Sequence, residues 1–173
     1  MSHYELTVVT SSWAAPLPAE YARIGISRGP PRRQSGYRMY RALAPGPWFS
    51  TAGEREYCDR YMAMLRALDP RTVLADLKKL SGELVPALLC FEPPPPNPDW
   101  CHRGLVSAWF GDTIGLVVNE LGHEMAGAGW THPKLPPSIR RLFTGEKAQQ
   151  LYRSNNNGFD KCSDHPRKFV TRQ

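Results

Sequence analysis

The sequence predicts an α/β domain with a small, largely parallel sheet flanked by helices. Three observations carry this. Strand-like and helix-like stretches follow one another as strand, strand, two helices, strand, helix, strand. The two adjacent helices show clear apolar stripes at three- and four-residue spacing. The run "LVPALLCF" is apolar without alternation, as in a strand buried on both faces.

"YELTVVTSS" alternates and is rich in β-branched residues, which predicts a strand over residues 5 to 10 that ends at Thr10, Ser11 and Ser12. "AAPLPAE" is a loop punctuated by Pro16 and Pro18. "ARIGIS" predicts a second strand over 22 to 27, followed by the turn-rich "RGPPRRQSG". Thr51 precedes Glu54 by three residues, a capping-box pattern, and Tyr57, Cys58, Tyr61, Met62, Leu65 and Leu68 then share one helical face. Asp69 can cap a second helix with Pro70 at its first position, Val73, Leu74, Leu77 and Leu80 as its stripe, and Gly82 as its stop. In the apolar run, Pro86 stands near the start, where a strand tolerates it. Asp99 is the expected N-cap of the next helix, which puts Cys101, His102 and Arg103 in its first turn and Leu105, Val106, Trp109 and Phe110 on its buried side. "GLVVNELG" predicts a last strand over about 115 to 121.

These elements define an α/β core domain over residues 1–122 and a basic C-terminal extension over 123–173. The extension is Gly/Pro-rich at first, has room for one or two short helices in "SIRRLFTGEKAQQLYR", and then loses all period. It is expected to pack on the core or wrap it.

Composition sets the class. A chain of 173 residues with 41% hydrophobic and 22% charged residues fits one globular domain. No apolar run approaches the roughly 18 residues that a membrane span needs. The start, "MSHYELTVVTSSW", has no basic segment followed by an apolar one. Four irregularly spaced cysteines do not form a secreted disulfide framework, so a cytoplasmic protein with reduced thiols and no membrane partner is expected.

The net charge of +6 is unevenly placed. Tyr21 to Gly53 holds six arginines (Arg23, Arg28, Arg32, Arg33, Arg38 and Arg41) and no acid. His123 to Gln173 carries nine Lys/Arg against four acids, while Glu54 to Gly122 has seven bases against ten acids. Two basic zones therefore flank a mildly acidic middle. Solvation explains scattered arginines, but a guanidinium fork also suits phosphate or carboxylate, so an anionic small molecule or nucleic acid is the expected partner.

The chemistry concentrates in "LLCFEPPPPNPDWCHRG", where Cys90 ends a strand, Glu92 follows, and a proline-stiffened loop delivers Cys101, His102 and Arg103 to a helix start. Ligands of open α/β sheets sit beyond the carboxyl ends of strands, beside the helix N-termini that follow. A helix N-terminus and a neighbouring arginine both lower a thiol pKa. Cys101 is thus a candidate nucleophile, with His102 or Glu92 moving protons and Cys90 as a second thiol. Arg103, Arg28, Arg32 and Arg33 are candidate substrate contacts, as are Ser11 and Ser12 at the first strand's carboxyl end. Other readings stand beside these. Asp99 in the same turn opposes a thiolate, Cys90 fits a small packed hydrophobe, and His102 and Arg103 fit a solvated helix start. Cys90, Cys101, His102, Cys162 and His165 include the ligand types of a zinc site, but tight C-x-x-C spacing is missing, and no metal or cofactor is expected. A Cys90–Cys101 disulfide is a further alternative whose geometry the sequence does not set. There is no P-loop, no G-x-G-x-x-G turn, and no cysteine followed six residues later by arginine.

"ALLCFEPPPPNPDWCHRGLVSAWF" resembles the C-terminal signature of the domain-of-unknown-function 488 (YeaO-like) family. "IGISRGPP", "GYRMYRALAPGPWF" and "YCDRYMAMLRALDPRTVLADLKKL" resemble that family's second strand, the segment after it, and its helical pair. The resemblance spans roughly residues 5 to 122, and the basic tail has no counterpart in it. It implies an α/β fold and an enzymatic site at Cys90, Glu92, Cys101, His102 and Arg103. It also matches Arg28, Pro30, Pro31, Leu43, Ala44 and Pro45. The expectation is a cysteine-dependent enzyme acting on an anionic, nucleotide-like or nucleic-acid-like substrate. The alternative is a nucleic-acid-binding accessory protein with Tyr37, Tyr40 and Trp48 stacking on bases.

Overall fold

The chain forms a five-stranded parallel sheet whose last two crossovers are made by helices on one face, while loops make the first two. The computed structural model describes residues 7–143. Its strands are β1 (Val8–Ser12), β2 (Tyr21–Gly25), β3 (Tyr37–Met39), β4 (Val85–Cys90) and β5 (Val118–Glu120). Their order is β3-β2-β4-β1-β5, with every pair parallel. The helices are α1 (Glu54–Arg66), α2 (Pro70–Ser81), α3 (His102–Ile114) and α4 (Pro137–Phe143). The predicted α/β class with a parallel sheet is what the chain forms. Among the described residues, no helix is long and apolar enough to cross a membrane.

Local chemistry explains α2 completely. The Asp69 carboxylate accepts the Thr72 N–H at 2.8 Å, Pro70 opens the helix, and Gly82 ends it with a φ of 60°. At α1 the expected capping box is not used. Gly53 is the N-cap, because Thr51 closes the preceding 3-10 turn, Pro47–Ser50, and turns its hydroxyl to the Trp48 carbonyl at 3.3 Å. β3 was not expected from the sequence. It is a three-residue edge strand without an apolar pattern, paired only with β2.

Strand alternation splits the core in two. Val8, Ile24, Leu88 and Val118 meet the stripes of α1, α2 and α3. Val9, Ala87, Leu89 and Trp13 form a smaller cluster on the opposite face. α3 is buried all round from His102 to Phe110, where one apolar side was expected. Its outer side is closed by Trp130, Leu135 and Ile139, which all belong to the predicted extension. Full burial of each large apolar side chain contributes about 1.5–3 kcal/mol, so the segment over residues 129–140 adds materially to the core. Gly104 permits the closest approach: a Cβ there would lie 2.6 Å from backbone atoms of Lys134 and Leu135. The extension beyond Phe143, with Cys162 and His165, lies outside the described residues.

Candidate functional site

Cys90 ends β4, and β2 runs on into Ile26 and Ser27, which keeps pairing with β4 through the Ile26 N–H to Leu89 carbonyl bond of 2.9 Å. α3 starts beside both. Its N-cap is Cys101, in extended conformation, and not Asp99. Asn97 prevents the earlier start, because its side-chain oxygen accepts the Asp99 N–H at 2.9 Å and holds the loop in a turn. The Cys101 N–H is taken by the Lys134 carbonyl at 2.9 Å. This corrects the expected helix start, and it removes the expected opposition from Asp99. No acid stands in the first turn of α3, and no side chain caps it. The thiol itself occupies the position where first-turn N–H groups favour negative charge.

Three of the expected residues converge. The Cys101 sulfur lies 3.6 Å from His102 Nδ1, and the Cys90 sulfur lies 3.9 Å from it. All three atoms fall within 4.8 Å of one another. On the other side of the ring, Nε2 lies 3.0 Å from the Ile26 carbonyl, which can only accept. Nε2 therefore carries a proton, and Nδ1 faces the two sulfurs. Tyr61 packs edge-on against the same ring at 5.1 Å and fixes its plane.

The proton balance of this group follows from its partners. Burial pushes the Cys101 thiol up, but the Cys90 S–H and the charges of His102 and Arg103 outweigh it and hold the thiol well below its ordinary range. Hydrogen bonding to Cys101, then burial, then the charges of Cys101 and Glu92 push Cys90 well up. Burial pulls His102 down, yet the Cys101 charge and hydrogen bond raise it overall. Burial and the Cys101 charge raise the Glu92 carboxyl. These shifts favour negative charge on Cys101 and hold protons on Cys90 and His102.

Arg103 points the other way from His102. It is fully buried, with Nε and Nη2 on the two Glu120 oxygens at 3.0 and 2.8 Å. Glu120 Oε2 also accepts the Thr10 hydroxyl at 2.8 Å, and that hydroxyl lies 2.8 Å from His132 Nε2. One donor is left over. Arg103 Nη1 is buried without a hydrogen bond and forms a long ion pair, at 3.9 Å, with Glu92 Oε2, which is also buried and makes no hydrogen bond.

Cys90, Glu92, Cys101 and His102 reach a cavity of about 270 Å³ walled by Phe49, Tyr57, Phe91 and Trp100. Arg28 stands on its rim, with Nη1 on the Pro45 carbonyl at 3.1 Å and the guanidinium 5.6 Å over the Phe49 ring. The other expected contacts do not line this cavity. Arg32 and Arg33 are exposed on the loop after β2. Ser11 and Ser12 are buried in β1, and the Ser12 hydroxyl serves the turn by accepting the Ala14 N–H at 3.1 Å. The aromatics considered for base stacking are engaged elsewhere: Tyr37 on Trp13, Tyr40 on Asp76, and Trp48 on Tyr57.

Several site residues escaped the sequence reading. Tyr57 was legible only as part of a core stripe, Trp100 sits in a loop without pattern, and Phe49 sits in the short 3-10 turn Pro47–Ser50. Lys134 has no visible signal, yet its Nζ donates to the Asn97 and Asp99 carbonyls, each at 3.0 Å, and so fastens the loop that delivers Cys101. Glu120 did have one, as a lone acid in an apolar strand. Cys90, Cys101 and His102 are also the one group of three metal-ligating residues among the described ones. Their donor types suit a soft cation, but the Arg103 guanidinium already supplies positive charge to Cys101. No family model matches the chain, and neither does any curated protein or solved structure.

Proposed function

We propose that the chain is a cysteine-dependent enzyme that acts on an anionic, nucleotide-like or nucleic-acid-like substrate in a reducing, cytoplasmic setting. We also propose that it belongs with the domain-of-unknown-function 488 (YeaO-like) family, on the residues that carry the resemblance. The observation behind the enzymatic reading is the Cys101 sulfur at an uncapped helix start, 3.6 Å from a histidine whose other nitrogen is committed to a backbone carbonyl. A nucleophilic thiolate needs such a partner to hold its proton and later return it.

In this reading the Cys101 thiolate attacks an electrophilic centre presented at the cavity floor. His102, protonated at Nδ1, gives its proton to the leaving group. Arg28 meets the substrate's negative charge at the rim, and Arg103, buried behind the cavity on Glu120, supports the negative charge on Cys101. The aromatic walls suit a flat ring. At about 270 Å³ the cavity takes a nucleobase or phosphate group, or the end of a longer ligand, but not a nucleic-acid segment.

The test is protection. A nucleoside monophosphate should slow alkylation of Cys101, and Arg28→Ala should abolish that protection while leaving unprotected alkylation intact. A single anion contact predicts a shallow salt dependence, whereas a steep one would mean an extended nucleic-acid footprint. Absence of protection by any mononucleotide or oligonucleotide at millimolar concentration would refute the substrate class.

A further inference from the structure

One nucleophile needs one thiol, and this site has two. Cys90 and Cys101 are both free and both reach the cavity. Their sulfurs lie within 4.8 Å, and both stand within hydrogen-bond range of the same His102 nitrogen. A disulfide needs about 2.05 Å, and a change of rotamer carries a cysteine sulfur about 3 Å, so side-chain rotation spans the gap. The third described cysteine makes a useful contrast. Cys58 is packed on α1 away from the cavity, and burial pushes its thiol up to about 12.

We propose that Cys90 and Cys101 form a redox-active dithiol that reduces a small hydroperoxide by two electrons. The Cys101 thiolate attacks the terminal oxygen, the O–O bond breaks, and the departing oxygen takes the His102 Nδ1 proton and leaves as alcohol or water. Cys101 is then a sulfenic acid. Cys90 gives its proton to the neutral His102 and attacks the Cys101 sulfur. The S–O bond breaks, the oxygen leaves as water with that proton, and a Cys90–Cys101 disulfide remains. An external dithiol reduces the disulfide and is itself oxidised. The two cysteines are 4% and 2% exposed and line the cavity, which admits a small hydroperoxide. The step rests on the proposed Cys101 thiolate but not on the anionic substrate, and it would silence that reaction while the disulfide lasts.

The experiment treats the reduced full-length protein with one equivalent of hydrogen peroxide at neutral pH. Remaining thiols are then blocked, and the peptides are mapped by mass spectrometry. The expected result is a Cys90–Cys101 cross-link with a mass loss of about 2 Da, an unmodified Cys58, and full recovery with dithiothreitol. In Cys90→Ser the reaction should stop at a Cys101 sulfenic acid that dimedone traps. Identical Cys101 products in the wild type and Cys90→Ser, with wild-type Cys90 still alkylatable, would overturn the proposal. So would a stoichiometric metal ion on the reduced protein that leaves both thiols inert. Oxidant-free alkylation of Cys101 across pH separates the two readings. A low apparent pKa without a cross-link sinks the dithiol alone, and an ordinary pKa sinks both.

Discussion

Two histidines lie at opposite ends of one buried polar system, and their environments drive them in opposite directions. His132 is fully buried, with Nδ1 accepting the Lys134 N–H at 3.1 Å and Nε2 on the Thr10 hydroxyl at 2.8 Å. Both nitrogens are spent on the neutral form. Burial first, and then the Arg103 charge, pull it down to about 3. His102 is almost as buried, but only Nε2 is committed, and Nδ1 faces two sulfurs. Burial alone would lower both histidines, and the partner decides which one holds a proton. Where every donor and acceptor is satisfied, the molecule has built a fixed joint. Where Glu92 Oε2 and Arg103 Nη1 lack hydrogen bonds and His102 Nδ1 is shared between two sulfurs, it has left room for chemistry.

The contrast is most exposed at Glu120, the centre of the satisfied end. Glu120→Ala strands the Arg103 guanidinium in the core and should cost about 3–5 kcal/mol in urea unfolding. A cost below about 1 kcal/mol would mean that the joint is not structural.

His132 gives the next largest effect, through pH. The unfolded chain binds a proton at this residue near 6.5, whereas the folded one does so only near 3. Its folded pKa is depressed, so stability falls as pH drops from about 6.5 toward 3, and this group adds no dependence above that window. The loss should total on the order of 4 kcal/mol, and His132→Gln should flatten it in acid-unfolding curves.

Lys134 links the two ends. Lys134→Met leaves the Asn97 and Asp99 carbonyls without their charged donor and should cost about 2 kcal/mol. Amide exchange at Asn97, Asp99, Trp100 and Cys101, the residues of this loop that carry an N–H, should accelerate more than exchange in α2. Equal change in both would show global loosening and not release of the loop.

What the sequence made legible follows the range of the forces. α2 was readable to its end residues because Asp69, Pro70 and Gly82 act within one turn of their targets. The Cys90, Cys101 and His102 grouping was readable because one loop joins a strand end to a helix start. The N-cap at Cys101 was not, since the competing partners are an Asn97 turn and a carbonyl on Lys134 from a distant segment. Arg103 looked like a solvated or substrate-holding residue because its partner, Glu120, comes from the next strand. His132 and Lys134 sit in a Gly/Pro-rich stretch that reads as appendage, and only packing against α3 buries them.

The most direct measurement is the pH dependence of alkylation at Cys101, in the wild type and in His102→Gln, with Cys58 as an internal control. The wild type should alkylate at Cys101 well below the ordinary thiol pKa of about 8.5. In His102→Gln the profile should move up toward that value, with at least about a tenfold loss of rate at pH 6. A Cys101 that titrates as an ordinary thiol in both proteins would contradict the account, and the cluster would then be packing and not a site.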